Sequence, residues 1–199
     1  MNKLSNEILK KKYEELQNNF INGDFQKVIK GCNKVLEKRK NQLFFNLLCI
    51  AYQKIGKIEK SIDVMNEALT FNPNHPDFLN NLGLCFFKLH KFSEAEKYFK
   101  KGLEIDNKHL HILNNLGNLK RETYKIEESI KYYKGVLSIQ HDAVATLFSL
   151  VGVYRISNKN EESKKSLFQV ELQGLDGRLQ RFVFQEVLSF IFVISIANL

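Results

Sequence analysis

Leu79-Asn80-Asn81-Leu82-Gly83 recurs as Leu113-Asn114-Asn115-Leu116-Gly117, 34 residues further along the chain. A fixed period of that length marks an array of helical repeats, in which each unit is one supersecondary motif that buries its apolar face against the next. The same offset links Ala95 to Ser129, Phe99 to Tyr133 and Leu103 to Leu137, so the identity spreads over a whole unit.

Outward from that match, residues Gln42 to Asn107 read as two complete units, each an apolar-periodic helix, a turn and a second apolar-periodic helix. The first supplies Phe45, Leu48, Cys49, Tyr52, Gly56, Ser61, Met65, Ala68 and Pro73. The next supplies Leu79, Leu82, Gly83, Phe86, Ala95, Phe99 and Gly102, with His90 in place of the turn glycine and Asn107 in place of the proline, Asn being a residue that tolerates a left-handed turn. This succession of large, small and aromatic residues resembles the tetratricopeptide repeat. The resemblance implies an all-α fold, a right-handed superhelical solenoid of stacked helix-turn-helix units.

It extends, more loosely, toward both ends. A following unit keeps Leu113, Leu116, Gly117, Ser129, Tyr133, Val136 and Leu137 but has Lys120 where the family has an aromatic and Tyr124 at the turn, so its helices are expected to end less sharply. A fifth unit retains Leu147, Leu150 and Tyr154, with Val151 at the glycine position and Ser163 and Leu167 in its second helix. At the front, Gly23-Asp24-Phe25 reads as a turn between a stripe of Tyr13, Leu16 and Phe20 and a helix carrying Val28, Cys32, Val35 and Leu36. Residues 1–172 are thus expected to form one array of about five units, followed by a hydrophobic tail over 173–199. Gly83 and Gly117 are expected to let helix backbones meet, with Ala tolerated and a bulky residue not.

Composition fits a soluble array: of 199 residues, 44% are hydrophobic and 26% charged, with two prolines and no tryptophan. Three cysteines without paired spacing fit reduced, packed thiols and a cytoplasmic setting rather than a disulfide frame. Met1 to Lys12 contains no continuous apolar run of the kind a secretory signal needs. The net charge is +8, and residues 1–40 carry ten Lys or Arg against five acids. Lys10-Lys11-Lys12 followed by Glu14 and Glu15 reads as a solvated helix face with internal charge pairs, not as a specific nucleic-acid surface.

The chain carries no glycine-rich phosphate loop, no cysteine pair at zinc spacing and no His-x-x-x-His, and it is read as non-catalytic, without cofactor or metal. His109 and His111 would diverge around a helix, and Glu127-Glu128 and Glu161-Glu162 read as first-turn carboxylates that complement the helix dipole.

What remains is recognition by surface. In the family that the chain resembles, the first helices line a concave groove, which here places Asn80, Asn81, Lys88, His111, Asn114, Asn115, Asn118, Arg121 and Glu122 toward a ligand. Asparagine both donates and accepts, so a row of them suits the backbone of an extended peptide. Asn81-Leu82-Gly83 with Asn115-Leu116-Gly117-Asn118 is similar to the asparagine ladder of repeats in protein O-linked N-acetylglucosamine transferases, whereas the Lys and Asn set of a carboxylate clamp is not found. The expected role is a protein-interaction scaffold for a peptide or protein segment. The alternative is a substrate-recognition module of a larger modifying enzyme, a glycosyltransferase or sulfotransferase, with its catalytic domain outside this chain. The tail has no Lys from Arg178 onward, and Val187 to Leu199 is an uninterrupted run of 13 residues, short of the roughly 20 that span a bilayer. It is expected to be a closing helix, a membrane-surface anchor or the end of a fragment, and membrane association is expected only through it.

Overall fold

Helix boundaries in the computed structural model, which describes residues 3–172, repeat with the sequence period. Five helix pairs follow one another: α1 (Lys3–Ile21) and α2 (Phe25–Lys38), α3 (Gln42–Lys54) and α4 (Ile58–Phe71), α5 (Pro76–Lys88) and α6 (Phe92–Ile105), α7 (Leu110–Glu122) and α8 (Ile126–Ile139), α9 (Val144–Ile156) and α10 (Asn160–Leu172). No strand occurs among the described residues, and the fold class is all-α, built of helix-turn-helix repeats. From α3 to α9 every first helix begins and ends 34 residues after the previous one. The tail expected over 173–199 lies outside the described residues.

Each hairpin turn is closed by the same six-residue bond, as in a Schellman motif. The N–H of Asp24, Lys57, Lys91, Lys125 and Lys159 donates to the carbonyl of Asn19, Tyr52, Phe86, Lys120 and Tyr154, at 2.8–2.9 Å. The residue before the donor takes positive φ: Gly23 (81°), Gly56 (74°), His90 (57°), Tyr124 (57°) and Asn158 (55°). Two expectations are corrected here. The helix before Tyr124 ends as sharply as the one before Gly56, because packing imposes the left-handed turn that tyrosine does not favour. Asn107 does not have the positive φ expected of it; in its turn Asp106 Oδ1 accepts from the N–H of Lys108 at 3.1 Å.

The chain divides within α7 into two compact units, one ending at Asn115 and one beginning at Leu116. In the first, Leu16, Val28, Cys32, Phe44, Phe45, Cys49, Met65, Phe78 and Leu82 belong to one buried cluster. Helix α5 packs on α6, α3 on α2 and α4, and α4 on α5. In the second, Tyr133, Ile130, Leu150, Val153 and Tyr154 form a core, with Leu147 and Val170 beside it.

Glycines within helices make room for side chains rather than for a second backbone, which corrects the earlier expectation. A β-carbon on Gly83 would stand 2.6 Å from Phe99 Cε1, and one on Gly117 would stand 2.5 Å from Tyr133 Cε1. The aromatic rings of α6 and α8 therefore occupy the space beside the glycines of their own first helices, α5 and α7. Two of the serines at the family's small position bond across the hairpin: Ser61 Oγ to the Cys49 carbonyl at 3.0 Å and Ser129 Oγ to the Gly117 carbonyl at 2.8 Å.

Candidate functional site

The first helices of the first unit carry asparagines in one register: Asn46 on α3, Asn80 and Asn81 on α5, and Asn114 and Asn115 on α7. Asn81 Nδ2 donates to Asn46 Oδ1 at 2.8 Å, and Asn115 Nδ2 donates to Asn80 Oδ1 at 2.8 Å. One period later plus one residue, each amide meets the amide of the preceding repeat. Asn80 and Asn81 are each only 8% exposed, while Asn46, Asn114 and Asn115 are half-buried. A primary amide has two N–H donors and a carbonyl with two lone pairs, so each pair uses one donor and one acceptor site and leaves capacity on both partners.

Lys88, Asn118 and Arg121 are also expected in the groove. Lys88 is exposed near the end of α5. In the second unit, Asn118 Oδ1 accepts from the Tyr133 hydroxyl at 2.7 Å, and Arg121 lies 3.2 Å from Glu122 Oε1. Burial pushes the Tyr133 phenol above its ordinary range. Thus Asn118 is held by the core aromatic of its own hairpin, while in the first unit Asn46 meets Asn81 and Asn80 meets Asn115.

A second polar seam runs along the loops that enter α5 and α7. His75 and His109 stand at the same register, just before these helices. His109 Nδ1 accepts from the Ile112 N–H at 3.3 Å, which leaves the proton of the neutral ring on Nε2, directed at Asp77 Oδ1 at 3.0 Å. His75 Nε2 meets Gln42 Oε1 at 3.0 Å, its ring stacks on Phe78, and its buried Nδ1 has no hydrogen-bond partner and lies 3.8 Å from Asp77 Oδ2. The hydrogen bond from His109 lowers the Asp77 pKa, and the same bond raises that of His109. Among the described residues, no three His, Cys, Asp or Glu side chains converge so as to hold a metal.

The first-turn carboxylates expected as dipole partners also make ion pairs. Glu127 reaches Lys159 at 3.2 Å, and Glu128 reaches Lys120 at 2.8 Å. Lys120, whose side chain is 3% exposed, occupies the family's aromatic position and brings its charge to the edge of the hairpin to meet that acid. The Lys10–Glu14, Lys11–Glu7 and Lys12–Glu15 pairs on α1 match the solvated face expected there. Burial pushes the Cys32 thiol up to about 12, and Cys49 and Cys85, also buried and unbridged, share the Gln53 amide, whose Nε2 is 3.4 Å from each sulfur.

Tetratricopeptide-repeat families match residues 42–75, 76–109 and 109–144, together just over half of the sequence. The chain belongs to the tetratricopeptide repeat family. No curated protein sequence matches it. Solved structures of similar fold include MamA, at 18% identity and a TM-score of 0.66, covering 79% of this chain and 95% of that one. Pseudomonas aeruginosa PilF has 13% identity and a TM-score of 0.74, covering 86% and 78%. The first repeat domain of Spaghetti (RPAP3), solved with the HSP90 peptide SRMEEVD, has 22% identity and a TM-score of 0.56, covering 58% and 94%. No described helix of this tetratricopeptide protein is long and apolar enough to cross a membrane.

Sequence reasoning passed over Asn46, which aligns with Asn80 and Asn114 at the 34-residue period and is the acceptor of the first amide pair. It also passed over His75, whose 34-residue spacing from His109 carried the signal of the second seam.

Proposed function

We propose that this tetratricopeptide-repeat protein is a non-catalytic scaffold that binds an extended peptide segment along its first helices, with Asn46, Asn80, Asn81, Asn114 and Asn115 supplying amides to the peptide backbone. Lys88, also on the first unit, belongs to the same proposed surface. The observation that carries the reading is the pair of Asn–Asn bonds at one register in successive repeats. Each bond fixes the orientation of two amides, so their remaining N–H and C=O groups are presented with a repeat's spacing and little entropy is left to lose on binding. Extended backbone offers donors and acceptors of matching kind, whatever its side chains. The solved repeat domain carrying a bound peptide supports the partner class. The unbridged buried thiols suit a cytoplasmic setting.

The test is a peptide selected from a random library on the full chain, followed by calorimetry. The Asn81→Ala/Asn115→Ala variant is expected to bind it at least about fivefold more weakly, in keeping with the loss of about 1 kcal/mol or more of hydrogen bonding. Equal affinity for parent and variant, with the peptide's footprint elsewhere by NMR, would remove the asparagines from the site.

A further inference from the structure

Helices α1 and α2 enclose a groove of about 540 Å³ on the first unit. Its floor is apolar: Leu16 is 1% exposed, Leu9 and Val35 are half-buried, and Ile8 at the lip is 61% exposed. Gly31 lets the two helices close beneath it, since a β-carbon there would meet Leu16 Cδ2 at 2.5 Å. On α2, Val28, Ile29, Cys32 and Leu36 are buried in the cluster that includes Phe44 and Phe45 of α3. Helical geometry turns Lys27, Lys30, Lys34 and Lys38 to the other flank, where they line the groove along about three turns.

The charges at this rim are unbalanced. Lys12 is paired with Glu15 and Lys27 with Asp24, each at 2.7 Å. Lys30, Lys34 and Lys38 are exposed and make no ion pair among the described residues. We propose that this groove docks an acidic amphipathic helix of a partner protein, its apolar stripe on Ile8, Leu9, Leu16 and Val35 and its carboxylates against Lys30, Lys34 and Lys38.

The shape and the charge select that occupant. A helix fills a concave trough with one apolar stripe and leaves its flanks free for charge, the pattern of helix-in-groove recognition. Lysine stems extend the apolar wall while their ammonium groups reach the rim, where they meet carboxylates without being desolvated. A flat bilayer surface does not reach a recessed floor, and no aromatic ring lines the groove on which a nucleic-acid base could stack. A second copy of the same face would bring lysines onto lysines. The chain's own tail offers Asp176 and Glu186 against Arg178 and Arg181, so it carries no acidic bias.

The experiment uses the full chain and a fluorescein-labelled helical peptide of about four turns, with Leu at i, i+3, i+4 and i+7 and Glu on both flanks. A scrambled peptide of the same composition, phosphatidylserine vesicles and single-stranded RNA serve as comparison probes. The amphipathic peptide is expected to bind, to bind more weakly as salt rises, and to lose about tenfold or more for the scrambled peptide and for the Lys30→Glu/Lys34→Glu/Lys38→Glu variant. Ile8→Asn, at an exposed lip position that leaves the core intact, is expected to weaken binding without lowering the melting temperature. Absence of peptide binding, equal binding of the scrambled peptide, or an unaffected lysine variant overturns the proposal. Binding of vesicles or RNA through the same lysines, without peptide binding, reassigns the stripe to an anionic surface. Peptide binding that emerges only after deletion of residues 173–199 reassigns the groove to the chain's own tail.

Discussion

Phe99 Cε1 lies 2.6 Å from the point that a β-carbon on Gly83 would occupy. The ring is fully buried and cannot swing away, so the added methyl must displace core. Gly83→Ala is therefore expected to destabilise by about 1–3 kcal/mol even though alanine is the better helix former. Gly152→Ala is the internal control: nothing lies within 4 Å of its β-carbon position, and the change is expected to stabilise by up to about 1 kcal/mol. Urea midpoints of the two variants should move in opposite directions.

At the turns, a residue other than glycine at positive φ costs about 1–2 kcal/mol. Tyr124 is 86% exposed and has little packing to lose, so Tyr124→Gly is expected to raise stability by about 0.5–1 kcal/mol in chemical denaturation. His90→Gly should gain less, because the His90 ring packs edge-on against Phe92.

The amide pairs carry stability as well as a proposed surface. Asn81→Ala removes the donor to Asn46, and a double-mutant cycle between the two is expected to show a coupling of about 0.5–1.5 kcal/mol. A coupling of zero in that cycle would mean that the bond contributes nothing in solution.

The Asp77–His109 pair sets a pH signature. The lowered Asp77 pKa gives stability that is present above the ordinary carboxyl value near 3.8 and is lost as pH falls through the folded value. The raised His109 pKa gives stability that is fully present below 6.5 and is lost as pH rises through the folded value. Their combined contribution is greatest between these limits. Asp77→Asn is expected to lower the His109 titration midpoint, followed by the imidazole proton resonances, and to flatten the decline of stability above pH 6.5.

Lys120 and Glu128 are expected to respond asymmetrically. Glu128→Gln removes the negative charge that faces a buried ammonium and should destabilise by about 1–3 kcal/mol, since the acid is half-exposed and its partner is not. Lys120→Phe, which restores the family's aromatic, should be neutral or stabilising by thermal melt.

The period and the alternation of large and small residues were enough to place the hairpins, because stacking constrains the same positions in every unit. Tyr124 and Asn107 misled for a local reason. The left-handed residue is chosen by the closing bond of the turn, which packing enforces on tyrosine as firmly as on glycine, while Asp106 supplies the turn beside Asn107 by itself. The glycine contacts were legible as close approaches, but a sequence does not say whether a ring or a backbone occupies the space. The asparagine register was legible too; the pairing of Asn81 with Asn46 was not, because it depends on a one-residue offset between neighbouring helices. The groove between α1 and α2 was hidden by composition, since its lysines resemble any solvated helix face until the apolar floor beside them is seen.

The turn residues also bear on the order in which the protein is made. Gly23 and Gly56 can adopt positive φ in an isolated hairpin without steric cost, whereas His90 and Tyr124 are carried into it only once their helices have docked. The hairpins with glycine turns therefore precede in the chain those whose turns carry His90 and Tyr124, and pulse-labelled hydrogen exchange on arrested nascent chains is expected to find α1–α4 protected before α5 and α6. Protein synthesis then proceeds in the direction in which each docked hairpin can template the next, so that vectorial emergence compensates for turns that chain chemistry alone does not favour.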